Sequence, residues 1–210
     1  MRGRAVSASR QATSRPGRSR ATDCATESNA SFDPQRTERA AYQKALQRLA
    51  VRDHSAEELR RALMRQGHAP ADIESALARL ERARLIDDRV FAERFARRAL
   101  ARGLGGKRIG LALSQRGIAR DLARDGINHA RDETPEAAVL DAVARAYWRR
   151  NARVEREKRL RRLWAFLLRR GFPTALVARR LRAAFPDLDD ALDGLASGSS
   201  QLMPQETRFS

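Results

Sequence analysis

The hydrophobic positions of the chain repeat one spacing three times. In each copy two apolar residues lie four positions apart, and a glycine follows four positions after the second. The copies are Leu59, Leu63 and Gly67; Ile109, Leu113 and Gly117; and Leu163, Leu167 and Gly171. Apolar residues at this spacing share one face of an α-helix, and glycine readily adopts the left-handed conformation that ends a helix. The pattern predicts three amphipathic helices, each ended by its glycine.

Further apolar residues flank each copy at helical spacing. After the glycines they are Ile73 and Leu77, Leu122 and Ile127, and Leu176 and Leu181. Before the copies they are Ala41, Ala45, Leu46 and Leu49; Phe91, Phe95 and Leu100; and Val139, Val143 and Tyr147. Each copy is therefore the middle helix of a predicted three-helix unit. Because the glycines recur about every 50 positions, the units are predicted to be tandem structural repeats.

Helix-start signals divide these stretches. Ser55 and Glu58 have the spacing of a capping box, and Pro70 fits the first turn of the next helix. The adjacent Asp87 and Asp88 offer a cap to the helix that follows them. Thr134, followed by a proline, is predicted to be the N-cap of the first helix of the third unit.

The predicted fold is all-α, an elongated array of three tandem three-helix units over residues 35–84, 85–132 and 133–186. Residues 1–34 lack apolar periodicity, and we expect them to form a disordered basic tail. Residues 187–210 are expected to be a disordered acidic and polar tail. Gly126 lies inside the last helix of the second unit, and we expect that helix to be frayed or short.

Charge narrows the choice of partner. The chain has 43 Lys and Arg against 26 Asp and Glu, a formal net charge of +17. A charge of this size attracts polyanions, although arginines that only solvate a helical surface would give the same composition. Cys24 is the single cysteine, so one chain builds neither a disulfide framework nor a thiolate metal site. The lone cysteine indicates a reducing compartment, and no apolar stretch approaches the ~20 residues of a membrane span, so we expect a cytoplasmic protein.

The basic residues opposite the predicted apolar faces are candidates for partner binding. They recur with the repeats and would line one surface of a stacked array. They are Arg61, Arg65, Lys107, Arg108, Lys158, Arg162 and Arg169. The segment from Arg149 to Arg162 is the most densely basic part of the chain. We expect the strongest contact in the third unit.

No catalytic or metal site is predicted. Gly106 and Lys107 suggest a phosphate-binding loop, but the remaining positions of that motif do not match, and we expect a flexible helix start instead. His54, His68 and His129 lie at predicted helix boundaries and are interpreted as surface or capping residues. The sequence predicts no cofactor and no enzyme activity.

Several short motifs resemble one protein family. They are Leu85 to Asp88 followed by Phe91 and Phe95, the Gln66-Gly67 and Arg116-Gly117-Ile118 helix ends, and Phe166 to Phe172. Together they resemble RecX, the bacterial regulatory protein of the RecA recombinase, over roughly residues 38–185. The positions that carry the resemblance are interpreted as caps, helix stops or apolar face residues. They are Leu63, Gly67, Asp88, Phe91, Phe95, Gly117, Phe166, Leu167, Gly171 and Phe172.

The resemblance implies a modulator without catalytic residues. It would lie in the groove of the RecA filament on DNA and inhibit ATP hydrolysis, strand exchange and the co-protease activity of the SOS response. We expect such a protein to act as a monomer and to touch DNA indirectly or through phosphates. Two alternatives remain: a helix-turn-helix-like protein that binds DNA directly, because three short helices with a glycine-containing turn also build that motif, and an RNA or ribosome binder.

Overall fold

The computed structural model describes residues 34–200, and the side chains of residues 35–197. This part of the chain is helical throughout and contains no strand. Unit 1 comprises α1 (Pro34–Leu49), α2 (Ala56–Arg65) and α3 (Pro70–Arg82); unit 2 comprises α4 (Asp88–Ala101), α5 (Gly106–Ser114) and α6 (Arg120–Glu133). Unit 3 comprises α7 (Glu136–Arg150), α8 (Arg156–Arg169) and α9 (Thr174–Ala184), followed by a 3-10 turn (Pro186–Leu188) and α10 (Asp189–Ser200). The prediction of an all-α fold with three tandem three-helix units is confirmed.

The three predicted helix stops are present. Gly67, Gly117 and Gly171 have φ angles of +83°, +78° and +87°. After each glycine the next amide donates a hydrogen bond to a carbonyl five positions back, as from Ile118 to Leu113 at 3.1 Å. This is the Schellman arrangement, which satisfies carbonyls left unpaired at a helix end. Gly103, with φ +77°, ends α4 in the same way. Arg84, with φ 54°, ends α3 likewise without being a glycine.

The predicted start signals are met in part. The Ser55 hydroxyl accepts a hydrogen bond from the Glu58 amide at 3.1 Å, as the capping box requires. The Glu58 carboxylate instead faces Arg52, His54 and Arg116. Pro70 lies in the first turn of α3 as predicted.

The prediction for Thr134 is wrong. Pro135 is the N-cap of α7, and no side chain caps that end. Thr134 ends α6, where its amide donates to the Ala130 carbonyl at 3.0 Å. The preceding helix therefore continues to the residue where the next was predicted to begin.

Gly126 has a packing role that the sequence did not reveal. It lies buried in the middle of α6, a full 14-residue helix, so the expectation of a frayed or short helix is wrong. A Cβ at this position would lie 2.9 Å from the Ala92 carbonyl carbon on α4 and 3.1 Å from the Ala92 Cβ. The absent side chain allows α4 and α6 to cross closely.

The middle helices of the three units meet end to end. The C-terminal end of α8 lies against the start of α5, where the amides of Gly105 and Lys107 donate to the carbonyls of Arg170 and Gly171 at 2.8 and 3.2 Å. The C-terminal end of α5 lies against the start of α2, where the Ser55 hydroxyl donates to the Arg116 carbonyl at 2.6 Å. At the first junction, amides at the start of α5 thus pair with carbonyls at the end of α8 that their own helix leaves unpaired, and at the second a side-chain hydroxyl does so for the end of α5.

The glycine-rich loop before α5 is part of the first of these contacts. A Cβ on Gly105 would overlap the backbone of Gly171 and Phe172. The Gly106 amide donates to the buried Glu136 carboxylate at 2.7 Å. We expected a flexible helix start, but the loop is held to unit 3 by these hydrogen bonds.

The expectation of disorder beyond Pro186 is not met for residues 187–200, which form the 3-10 turn and α10. Leu192 of α10 is fully buried in the core of unit 3, and Leu188, Ala191 and Leu195 pack against that core. Arg182 forms ion pairs with Asp189 and Asp193, and Arg156 pairs with Asp187 at 2.7 Å. The acidic segment therefore folds onto the basic unit that precedes it. The predicted N-terminal tail up to residue 33, and residues 201–210, lie outside the described residues.

Candidate partner-binding surface

The third unit brings three predicted basic residues into one groove. Lys158, Arg162 and Arg169 line it along α8, with Tyr147 contributed by α7. Its volume is about 590 Å³. The three side chains are exposed, and none forms an ion pair among the described residues. The Glu155 carboxylate and Arg161 also line the groove, so its cations outnumber its one acidic side chain, which suits an anionic partner.

The arrangement follows from the pattern of α8. Leu160, Leu163 and Leu167 are fully buried, so the opposite face of the helix points to solvent. The Glu155 carboxylate caps the helix start by accepting hydrogen bonds from the amides of Glu157 and Lys158, each at 2.8 Å. These bonds lower the pKa of Glu155 below its usual value. The cap fixes the end of the helix that presents Lys158.

Aromatic packing holds the wall of the groove. The rings of Tyr147 and Phe166 lie 4.8 Å apart, and Arg170 lies 4.9 Å from the Phe166 ring centre. The Arg170 guanidinium also donates to the Arg102 carbonyl at 2.9 Å. Phe166 thus supports both the groove and the contact between units 2 and 3.

The second unit does not place its two predicted residues together. Lys107 lines a groove between α5 and α6 that also contains Arg120 and Arg124. Arg108 lies in a different groove, between α4 and α5, of about 940 Å³. Both side chains are exposed. The two cations therefore face opposite sides of α5.

In the first unit, one predicted residue is committed to the fold. The Arg61 Nε bonds to the Glu57 carboxylate at 2.7 Å, and its Nη1 donates to the Gln115 carbonyl of unit 2 at 3.0 Å. Arg65 is exposed and has no ion pair within residues 34–200. Arg61 therefore links units 1 and 2 as well as contributing charge.

The groove between α4 and α5 contains basic residues that the sequence reasoning missed. Arg98, Arg102 and Arg116 line it beside Phe91 and Phe95. Arg116 lies 4.5 Å above the Phe95 ring centre, a cation–π contact. The i,i+4 spacing of Arg98 and Arg102, the latter at the C-cap of α4, is visible in the sequence, but the predicted basic surface drew only on the middle helices.

The residues interpreted as structural lie at caps, stops and core positions. Leu63, Leu167 and Phe172 are almost completely buried, Phe91 is buried, and Phe95 and Phe166 pack at the edges of their cores. Asp88 does not cap its own helix, a role that Asp87 fills. The Asp88 Oδ1 accepts a hydrogen bond from the Ala56 amide at 3.0 Å and so caps α2 of unit 1. Burial raises the pKa of Asp88 even though this hydrogen bond favours its ionised form.

The histidines are not gathered into a site. The interpretation as a surface residue is wrong for His54, which is buried with its Nδ1 3.4 Å from the Glu58 carboxylate. Burial and nearby arginines lower the pKa of His54. Among the described residues no group of three or more His, Cys, Asp or Glu side chains could hold a metal ion. None of the helices in this part of the chain is long and apolar enough to cross a membrane.

Comparison with known families identifies the three units separately. Residues 41–80 match the first three-helix domain of RecX, residues 87–127 the second, and residues 135–181 the third. The matches follow the order of the units along the chain.

Curated relatives of the chain are named regulatory protein RecX. The chain is 38% identical over 157 residues to the regulatory protein RecX of Halorhodospira halophila, which covers 72% of this chain and 91% of that protein. It is 39% identical over 132 residues to the regulatory protein RecX of Chromohalobacter salexigens, with 61% and 82% covered. The crystal structure of RecX from Lactobacillus salivarius superposes with a TM-score of 0.64 over 71% of this chain and 97% of that one. At 21% identity, that structural likeness concerns the fold.

Proposed function

Because the chain belongs to the RecX family of regulatory proteins, we propose that it regulates the RecA recombinase by binding the recombinase filament on DNA. In this proposal it lies in the filament groove and inhibits ATP hydrolysis, strand exchange and the SOS co-protease activity. It acts in the cytoplasm as a monomer, by contact alone and without catalysis.

The observation that carries the proposal is the cationic groove of unit 3. Lys158, Arg162 and Arg169 are exposed together on one helix, and none of them forms an ion pair within residues 34–200. Lys107 and Arg65 add exposed cations on the other two units. Because exposed ion contacts contribute only about 0–1 kcal/mol each, a surface of this kind binds through many contacts at once. A repeating protein on a repeating filament supplies those contacts.

The first prediction tests this groove by charge reversal. The triple variant Lys158→Glu, Arg162→Glu and Arg169→Glu should lose most of its binding to RecA filaments on single-stranded DNA and much of its salt dependence, because attraction becomes repulsion. A single Arg162→Ala should weaken binding only slightly. Binding is measured at several salt concentrations, together with the ATPase rate of the filament and the circular dichroism of each variant.

The matched control reverses three cations on α1. Arg36→Glu, Arg39→Glu and Lys44→Glu change the net charge by the same amount at exposed positions outside the groove. This variant should retain most of the binding. Equal losses in the two variants would mean that only net charge matters and would refute a defined surface. Equal binding of the wild type to DNA without recombinase would favour the direct DNA-binding alternative.

A further inference from the structure

The first and third helices of a unit pack against each other differently in unit 3. In units 1 and 2 they cross closely through small residues: Ala41, Ala45 and Ala76 are fully buried in unit 1, and Gly126 lies against Ala92 in unit 2. Counted from the helix-ending glycine, Arg180 occupies in α9 the position that Ala76 holds in α3 and Gly126 in α6. In unit 3 an arginine thus replaces the small residue, and the first and third helices do not cross closely.

Arg180 keeps α7 and α9 apart. Its Nε donates to the Asp141 carboxylate of α7 at 2.9 Å, so the pair spans the space that is closed in the other units. The two helices are accordingly in much looser contact than α1 with α3 or α4 with α6. A groove of about 500 Å³ opens between them, within the ~300–1,000 Å³ range of ligand pockets.

The groove has an apolar interior and a basic rim. Leu140, Ala144 and Leu181 line its floor, and Trp148 and Phe185 form one wall. Arg145 and Arg149 stand at the rim, exposed and without an ion pair in the described part of the chain. The only carboxylate in the lining, Asp141, is already neutralised by Arg180. A complementary ligand therefore carries apolar side chains beside negative charge.

The aromatic wall is held in place before any ligand binds. The rings of Trp148 and Phe185 lie 4.2 Å apart, and Arg159 lies 3.8 Å from the centre of the Trp148 ring while donating to the Trp148 carbonyl. A preformed wall reduces the entropy lost on binding. Because its faces are occupied by Phe185 and Arg159, the Trp148 ring is not available to stack on a nucleic-acid base.

We propose that this groove binds an acidic amphipathic helix of a protein partner. Its apolar side chains would fill the space over Leu140 and Leu181, and its carboxylates would pair with Arg145 and Arg149. A third helix is the element that fits between two splayed helices, and its apolar positions would follow the i, i+3, i+4, i+7 spacing of helix-in-groove recognition. The groove lies on the face of α7 that carries Ala144 and Trp148, whereas Tyr147 lines the cationic groove of α8.

The test uses the full chain and a labelled synthetic helix of about 16 residues, long enough for four turns, with leucines on one face and glutamates on the other. Binding is followed by fluorescence anisotropy, and occupancy of the groove by a change in tryptophan emission that is absent from Trp148→Phe. Two control peptides replace the leucines with serine or the glutamates with lysine. The wild-type chain should bind the first peptide saturably and at least tenfold more tightly than either control.

A matched pair of variants on α9 locates the site. Ala184→Glu places a carboxylate in the groove and should weaken binding at least tenfold, whereas Ala175→Glu, exposed on the same helix but outside the groove, should change it less than twofold. Arg145→Glu with Arg149→Glu should also weaken it at least tenfold. Circular dichroism and unfolding curves establish that each variant is folded.

Several results would overturn the proposal. Equal affinities of Ala184→Glu and Ala175→Glu would place the peptide elsewhere. Equally tight binding of the serine control peptide would mean that charge alone drives binding. A tenfold gain in peptide affinity on deletion of residues 201–210 would identify the chain's own end as the occupant. A dimer seen in sedimentation and lost in Ala184→Glu would identify a second copy instead.

Discussion

The glycines that end α2, α5 and α8 share a backbone conformation but not their surroundings. A Cβ on Gly67 would meet nothing within 4 Å. On Gly117 it would overlap the Cβ and Cγ of Glu57, and that Cβ is fixed by the backbone of α2. On Gly171 it would overlap the backbone nitrogen and Cβ of Arg108, which belong to another unit. The repeated residue therefore meets three different structural requirements, which the sequence pattern alone does not distinguish.

Alanine substitutions should separate these requirements. Gly67→Ala should cost about 1 kcal/mol of unfolding free energy, the penalty of a side chain at positive φ. Gly117→Ala and Gly171→Ala should each cost more than this, because the backbone of α2 or of α5 must shift to make room for the methyl group. Urea unfolding measures the three free energies. Equal losses at the three positions would show that the contacts between units contribute nothing to stability.

His54 should make the stability of the chain depend on pH. Its pKa lies below the usual 6.5 in the folded chain, first because burial disfavours the charged ring and then because Arg52 repels it. The unfolded chain therefore takes up the proton first, and stability should fall as the pH drops below about 6.5 towards the lowered pKa. In His54→Gln this part of the dependence should vanish in thermal melts between pH 7.5 and 5. An unchanged slope of stability against pH in His54→Gln would mean that carboxylates cause this dependence.

At the scale of helices, the apolar period of the chain predicts the nine helices of the three units. The two wrong predictions within these units share a cause. The predictions for Thr134 and Gly126 rest on the local preferences of these residues, whereas a neighbouring helix determines their structural roles. α6 continues to Thr134, and the close approach of α4 requires a residue without a side chain at position 126. α10 was missed because glycine, serine and aspartate gave its segment a disordered composition. Its stripe of Leu188, Leu192 and Leu195 was nevertheless present in the sequence.

The candidate surface was predictable only in part. The helical wheel of α8 places Lys158, Arg162 and Arg169 on one face, and the structure gathers them in one groove. A helical wheel does not show that Arg61 reaches the Gln115 carbonyl, because that contact joins residues of different units. The groove between α7 and α9 was equally hidden, since it depends on how two helices splay.

A buried leucine tests whether α10 belongs to the folded body. Leu192→Ala should lower the unfolding free energy by about 2–4 kcal/mol, because Leu192 is fully buried in the core of unit 3. Gly194→Ala on the same helix should instead stabilise by up to about 1 kcal/mol, since its Cβ would meet nothing within 4 Å. Urea unfolding measures both changes in the free energy of unfolding. Tolerance of Leu192→Ala without loss would mean that α10 does not cover the core in solution.

At the scale of the whole described chain, the units are joined through helix ends instead of broad faces. The loop at Gly105 approaches the backbone of Gly171 too closely for any side chain, and the Arg170 guanidinium reaches across to the Arg102 and Gly103 carbonyls. Such contacts are small in area and depend on accurate geometry. A single added methyl group at a junction is therefore sufficient to disturb it.

Gly105→Ala should uncouple unit 3 from the other two. Its methyl group would overlap the backbone of Gly171 and Phe172, so we expect one calorimetric melting transition in the wild type to become two. Gly110→Ala is the matched control on α5, because its Cβ would meet only Ile127 at an ordinary 3.7 Å. It should melt as the wild type does, or slightly higher. A single transition in Gly105→Ala would mean that the junction does not couple the units.

The end-to-end contacts of α8, α5 and α2 also give the molecule an electrical direction. A helix carries roughly half a positive charge at its N-terminus and half a negative charge at its C-terminus. At the two junctions these opposite ends meet and offset each other, so that the start of α8 remains as the positive pole and the end of α2, at Gly67, as the negative pole. The Glu155 carboxylate caps this positive pole, as an anion at a helix N-terminus should. The row of middle helices therefore has a direction along the described units, and a polymer with a direction of its own, such as a nucleic-acid strand or a head-to-tail filament, would meet different ends of this row in its two possible alignments.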